Sequence, residues 1–259
     1  MSSFAFAKTF SPILNTPKFS EIFGGKDGCS LSLDEQGLMR AIETVAFPNT
    51  KFKIIQESDT HVLQVETEDY PCTPLFVDKR FLTEKGLERK KEVPSVFKII
   101  NSLQNQIGAT YIWGGNTTQG IPELLQLYPP KVPLDEKMRA LWTLKGVDCS
   151  GLLYEATDGT VPRNTSWLIK FGRPLLIENL SYEKIASLIK PLDLILWPGH
   201  VIIALDSKTC IESRPQTGVV IQNLTERLYE LNRKPLLQWD SSLPTKDHFI
   251  IRRWHSSSI

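Results

Sequence analysis

The sequence predicts an α+β protein in two parts, a small all-β domain over residues 1–92 and a domain over 93–259 in which helix gives way to strands. Three observations predict it. Short β-rich runs crowd the stretch from Leu31 to Glu84. The highly charged run 84–92 ends just before Pro94 and marks a boundary. Beyond it, an apolar stripe at helical spacing opens a region that ends in several apolar, β-prone segments. At roughly 150 residues per domain, a 259-residue chain accommodates one large domain or two smaller ones.

Taken in order, residues 1–30 read as irregular and close on the turn-rich Gly24-Gly25-Lys26-Asp27-Gly28. The runs 51–56 and 61–66 read as strands, the second alternating and containing His61. Glu57-Ser58-Asp59-Thr60 separates them, as a hairpin requires. Asp69-Tyr70-Pro71-Cys72-Thr73-Pro74 breaks the chain before the short run Leu75-Phe76-Val77. Strands this short and closely spaced suggest a small barrel. After Pro94, the residues Val96, Phe97, Ile99, Ile100, Leu103 and Ile107 give a helical stripe, with Gly108 as its stop. A helix is expected over 135–144, and another from about Cys149 to Asp158-Gly159. Segments 193–196 and 201–205 read as strands, and Ile211 and Val219-Val220-Ile221 continue that character.

Composition narrows the function classes. Hydrophobic residues make up 41% and charged ones 23%, near the soluble average, which argues against disorder, collagen-like repeats and a coiled coil. Thirty basic residues against 29 acidic ones, a net charge of +1, give no electrostatic case for nucleic acid or an anionic membrane. No apolar run approaches the roughly 18 residues of a spanning helix. Residues 1–17 do not read as a secretory signal, so the expected location is the cytoplasm. The four cysteines, Cys29, Cys72, Cys149 and Cys210, lie far apart, which excludes a zinc site built from Cys-x-x-Cys pairs. Two disulfides are the alternative to free thiols; without an export signal, free thiols are expected, with Cys29, Cys72 and Cys210 structural.

Cys149 differs from the other three in its setting. It stands in Gly146-Val147-Asp148-Cys149-Ser150-Gly151, where a loop enters a helix. A thiol at a helix N-terminus feels the positive end of the macrodipole, which favours thiolate. Unpaired backbone N–H groups there can also hold a developing oxyanion. Asp148 is a good N-cap residue in its own right. A thiolate nucleophile needs an imidazole as ion-pair partner and as acid for the leaving amine. His61 is equally consistent with a surface residue, and His248 and His255 lie near the C-terminus. His200 follows Trp197-Pro198-Gly199 and opens an apolar strand, where a side chain can face a cleft. A third polar group must hold the ring in one tautomer. Glu212 falls on the next strand if it and His200 share a hairpin; the alternative is an exposed, idle strand residue.

Together these residues resemble the NlpC-type cell-wall peptidases, which are papain-like cysteine peptidases. Five short stretches occur in that family's order: Tyr111-Ile112-Trp113-Gly114-Gly115, Asp148-Cys149-Ser150-Gly151-Leu152, Val161-Pro162-Arg163, Pro191-Leu192-Asp193-Leu194 and Gly199-His200-Val201. The resemblance covers about residues 95–222. It implies Cys149 as nucleophile, His200 as base, and Glu212, twelve positions after that histidine, as the orienting residue. Most members carry His in the third position, so Glu is a departure. The resemblance places the Tyr111 hydroxyl near the oxyanion and makes Asp148 and Ser150 substrate-binding residues. For Trp113, core aromatic and substrate-binding residue are both open. The stretch between Gly115 and Gly146 is longer than the family's usual, and reads as an insertion over one side of the cleft.

The first domain resembles the bacterial SH3-like modules that precede some NlpC-type domains. In that subgroup the bond cut lies between γ-D-glutamate and a diamino acid of peptidoglycan stem peptides, and the module admits only peptides with a free N-terminal L-Ala. The expected partner is therefore a stem peptide of the L-Ala-γ-D-Glu-diamino acid type. The resemblance requires no metal and no organic cofactor. The activity expected is that of a dipeptidyl-peptidase in muropeptide recycling. A murein endopeptidase, a non-cleaving stem-peptide binding module and an acyltransferase on the same scaffold are the alternatives.

Overall fold

The computed structural model describes residues 4–240, 242 and 247–255. The chain divides into two compact units, Met1–Lys91 with Thr110–Asp148, and Glu92–Ala109 with Cys149–Ile259.

The first unit carries a seven-stranded antiparallel sheet. Its strands are β1 (Phe4–Ala7), β2 (Ser11–Leu14), β3 (Ile42–Ala46), β4 (Lys51–Asp59), β5 (Val62–Glu66), β6 (Leu75–Asp78) and β7 (Leu82–Thr83). They are hydrogen-bonded in the order β3-β2-β6-β5-β4-β1-β7. The expected barrel is thus an open sheet in its pairing: β3 and β7 are its edges, and among the described residues no ladder joins them. The 51–56 and 61–66 runs form a hairpin, but β4 extends to Asp59, so His61 sits in the turn rather than in a strand. The stretch 1–30, expected irregular, holds β1 and β2. Phe4-Ala5-Phe6-Ala7 alternates with both alanines buried, whereas Ser11–Leu14 is buried along its whole length between two neighbours and shows no alternation.

Residues 116–145 are built into this unit. Ile121, Leu124, Trp142 and Leu144 join Leu14, Phe19 and Ile42 in one core. The Trp142 Nε1–H donates to the Tyr128 carbonyl at 2.9 Å, and the Tyr128 hydroxyl donates to Asp78 Oδ2 at 2.5 Å. Asn116 mimics a strand neighbour for Val45, accepting from its N–H and donating to its carbonyl, both at 2.9 Å. The helix expected over 135–144 is Glu136–Trp142, with Asp135 accepting from the Met138 N–H at 2.7 Å as its cap.

The second unit sets helices beside a mixed sheet. Besides the short helix Thr165–Leu168, these are α1 (Val96–Asn105), α2 (Cys149–Ala156), α3 (Tyr182–Leu188) and α4 (Leu224–Leu231). The strands are β8 (Arg173–Pro174), β9 (Leu194–Trp197), β10 (His200–Ala204), β11 (Thr209–Arg214), β12 (Gly218–Asn223), β13 (Lys234–Leu236) and β14 (His248–Arg253). Their order is β8-β14-β9-β10-β11-β12, with β13 pairing β14 in parallel. α1 buries Ile99 and Leu103 against α2 and ends, as its stripe predicts, before Gly108 at φ 81°. Phe97, placed in that stripe by spacing, is 73% exposed. α2 packs on β10 and β11 with Leu152 and Leu153 fully buried. Sequence spacing did not reveal α3, α4 or β14.

Candidate active site

Cys149, His200 and Glu212 all belong to the second unit, each at a place the backbone fixes. Cys149 is the first residue of α2 and is 6% exposed. His200 opens β10 directly after a two-residue turn, with Trp197 and His200 paired across the β9–β10 hairpin. Pro198 presets its own φ, and Gly199 at φ 89° takes the left-handed position that a type II turn demands of its third residue. The turn brings the Gly199 carbonyl to 3.8 Å from Cys149 Sγ, so the sulfur lies beside the strand that starts with His200.

The imidazole is held on both sides. Its Nε2 is 2.7 Å from Glu212 Oε2, which leaves Nδ1 for the Cys149 sulfur. The Trp197 ring lies 4.9 Å from the imidazole, centroid to centroid, at 34°. Glu212 is fully buried on β11, not the exposed strand residue that was the alternative. The Arg227 guanidinium of α4 grips its carboxylate, Nε to Oε1 at 2.5 Å and Nη2 to Oε2 at 3.1 Å. Arg214, two residues along β11, brings its Nε to 3.9 Å from Oε1.

Burial alone would lower the basicity of His200, but hydrogen bonds to Cys149 and Glu212, and their charges, push its pKa up to about 9. Burial would raise the Glu212 pKa; the hydrogen bonds from His200 and Arg227 outweigh it and hold the carboxyl below its usual range. The raised histidine stabilises the fold fully below its ordinary pKa of 6.5, and that contribution is lost as pH rises through about 9. The depressed glutamate does the reverse: its contribution is present above 4.5 and lost as pH falls through its lowered value. Urea midpoints should therefore decline from about pH 6.5 toward pH 9, by the equivalent of roughly 3 kcal/mol, and His200→Gln should flatten that decline. An alkaline slope unchanged in the variant would show that His200 is not its source.

The remaining site residues from the sequence fall in both units. Ser150 is buried in α2 and its Oγ accepts from Arg163 Nη1 at 2.9 Å; Arg163, quoted from the Val161-Pro162-Arg163 stretch, is 1% exposed. Tyr111, Trp113 and Asp148 belong to the first unit. Arg40 lies over the Trp113 ring at 4.0 Å. Asp148 ties the Gly114-Gly115 turn, accepting from the Gly114 N–H at 3.1 Å and donating its own N–H to the Gly115 carbonyl at 2.9 Å. Gly114 is required there: at φ 71°, a Cβ would sit 2.6 Å from Ile42 Cγ2. Asp193, from Pro191-Leu192-Asp193-Leu194, is structural, held by Arg253 of β14 at 2.8 and 2.6 Å. All four cysteines are unpaired, and burial pushes the Cys210 thiol up to about 12. Among the described residues, no cluster of His, Cys, Asp and Glu could hold a metal ion, and no helix is long and apolar enough to cross a membrane.

Arg227 was missed from the sequence. Its signal was present: Leu224, Leu228 and Leu231 form a stripe at i, i+4 and i+7, and Arg227 occupies the i+3 position of the same face. A charge in an apolar stripe calls for a buried partner, and the sequence does not say which.

The chain matches no protein-family profile and no curated protein. Solved structures similar to it include NlpC/P60 family proteins. One, from Bacillus cereus ATCC 10987, is 16% identical with a TM-score of 0.38, and the alignment covers 97% of this chain and 63% of that one. The chain therefore spans less than two thirds of that structure's length. RipD from Mycobacterium tuberculosis, described as a non-catalytic NlpC/p60 domain protein adapted to peptidoglycan binding, is 18% identical over 49% of this chain and 86% of that one, with a TM-score of 0.33. The NlpC/p60 domain of the peptidoglycan hydrolase SagA is 22% identical over 51% of this chain and 92% of that one, with a TM-score of 0.31.

Proposed function

We propose that the chain is a cysteine peptidase that hydrolyses the bond between γ-D-glutamate and a diamino acid in peptidoglycan stem peptides. The observation that carries the reading is a cysteine at the head of α2 beside a histidine whose far nitrogen is bound to a buried carboxylate. A histidine made basic to about 9 stays an imidazolium at neutral pH, as a thiolate partner requires. The Cys149, His200 and Glu212 constellation argues against a domain that only binds peptides.

In this reading the Cys149 thiolate attacks the γ-carbonyl of D-glutamate, and the carbonyl π electrons move onto oxygen. The Cys149 backbone N–H, at the head of α2, holds that oxyanion. His200 gives its Nδ1 proton to the leaving amine as the C–N bond breaks, leaving a thioester. The neutral imidazole then takes a proton from water, whose oxygen attacks the thioester; the thiolate departs and the carboxylate product forms. Trp113, Asp148 and Ser150 bind the peptide, with Asp148 matched to a free ammonium. Residues 93–259 serve as the catalytic domain, preceded by residues 1–92 as an SH3-like domain, and the substrates are peptides with a free N-terminal L-Ala. The setting is cytoplasmic turnover of small muropeptides.

Incubation of L-Ala-γ-D-Glu-diaminopimelate with the protein should yield L-Ala-D-Glu and free diaminopimelate by mass. N-acetylating the L-Ala should lower kcat/KM by about 30-fold to several thousand-fold, the equivalent of about 2–5 kcal/mol for a desolvated charge pair left unmade. Equal cleavage of both peptides would dismiss the ammonium pocket while keeping the peptidase. Tight binding of the tripeptide without any product would instead favour the non-cleaving module, and release of product only from intact murein would favour the endopeptidase.

A further inference from the structure

We infer that Arg227 is a positioning residue of this site, acting through Glu212 to hold the His200 ring with one nitrogen on the carboxylate and the other free for the Cys149 sulfur. The inference deepens the peptidase reading and rests on it. α4 is docked by Leu224 and Leu228, both fully buried, and is capped by Asn223, which accepts from the Glu226 N–H at 3.1 Å. Tyr182 of α3 meets Tyr229 of α4 edge-on at 4.9 Å, and packs against the same core as Leu224 and Leu228. The same docking carries Arg227 inward until its side chain is only 11% exposed. A guanidinium placed there is destabilising unless a carboxylate meets it with good geometry.

Glu212 meets it in a two-pronged arrangement, with Nε on one oxygen and Nη2 on the other. This fork fixes the plane of a carboxylate that would otherwise rotate about its last side-chain bond. Oε2 then has one direction left for a further donor, and His200 Nε2 occupies it at 2.7 Å. The other charged or titratable groups facing Glu212 do not duplicate the fork. Arg214 approaches Oε1 only to 3.9 Å, its buried Nε lacks a hydrogen-bond partner, and Cys210 is a buried thiol two residues earlier on β11. On the outer side, Arg227 Nη1 reaches the half-exposed Glu230 at 3.3 Å. A carboxylate orienting residue needs a countercharge and a fixed plane, and one side chain supplies both.

The test compares the parent, Arg227→Met and Arg227→Lys, each also combined with Glu212→Gln. Proton–nitrogen NMR of the four histidines should show in the parent a downfield His200 Nε2 proton protected by the carboxylate. In Arg227→Met its exchange with water should quicken at least about tenfold, and Arg227→Lys, with charge but no fork, should recover only part of the protection. On stem tripeptide, Arg227→Met should lower kcat by about 10- to 100-fold with KM within about twofold. In the Glu212→Gln background the same substitution should cost no more than about twofold further, because its route of action is already cut. Unchanged ring-proton protection, or losses that multiply in the double variant, would overturn the inference. Should Arg227→Met fail to fold, as seen by circular dichroism, Arg227→Lys carries the comparison alone. If the parent cleaves no stem peptide but Arg227→Met still frees the ring proton, the peptidase reading falls and the positioning role stands.

Discussion

Cys149→Ala should reduce stem-peptide hydrolysis by about 10⁴- to 10⁶-fold in kcat, leaving whatever the oxyanion-binding groups and peptide binding supply by themselves. The loss is this large because the neighbouring thiol on β11 cannot take the acyl transfer over: Cys210 is fully buried, and burial pushes its thiol up to about 12. The fold should survive the substitution. The contact of the sulfur with the Gly199 carbonyl, at 3.8 Å, is a weak one, and α2 is held by Leu152 and Leu153 further along. Binding of the intact tripeptide should persist, so the variant should retain affinity by calorimetry while product formation vanishes by mass. Turnover by the alanine variant at a comparable rate would remove Cys149 from the mechanism.

The parts of this site differ in how far the sequence shows them. Cys149 and His200 stand in short local patterns whose geometry is set by the chain around them: a loop entering a helix, and a Pro-Gly turn entering a strand. Glu212 required a longer inference, that the strand after His200 folds back beside it, and β10 and β11 do pair antiparallel. Arg227 required knowing which face of α4 is buried and against what, and that is decided by tertiary packing rather than local spacing. The same limit explains the fold. Strands flanked by turn signals, such as β5 and the two strands on either side of Pro198-Gly199, were legible. β2 is buried on both faces and only four residues long, so its apolar content carries no period. Residues 116–145 look like a detached insertion in sequence because the core they complete is formed by residues a hundred positions earlier.

Glu212→Ala should be the most damaging substitution outside the nucleophile, because it removes catalysis and stability together. Loss of the residue that orients a catalytic histidine costs on the order of 10²- to 10⁴-fold in kcat. The same change leaves the Arg227 guanidinium, 11% exposed, without its carboxylate, and breaking a buried pair from one side costs about 3–5 kcal/mol. A lower urea midpoint should therefore accompany the kinetic loss. Glu212→Gln keeps the shape and one acceptor oxygen but turns an amide N–H₂ toward one of its two donors, so it should fall between the parent and the alanine variant on both measures. The two effects separate in a double variant. Glu212→Ala with Arg227→Met removes both charges, so most of the lost stability should return, whereas activity should not, because His200 is still without an acceptor for Nε2. If the double variant stayed as unstable as Glu212→Ala, the stranded guanidinium would not be the cause. If it regained activity, the carboxylate would have no part in aligning the ring.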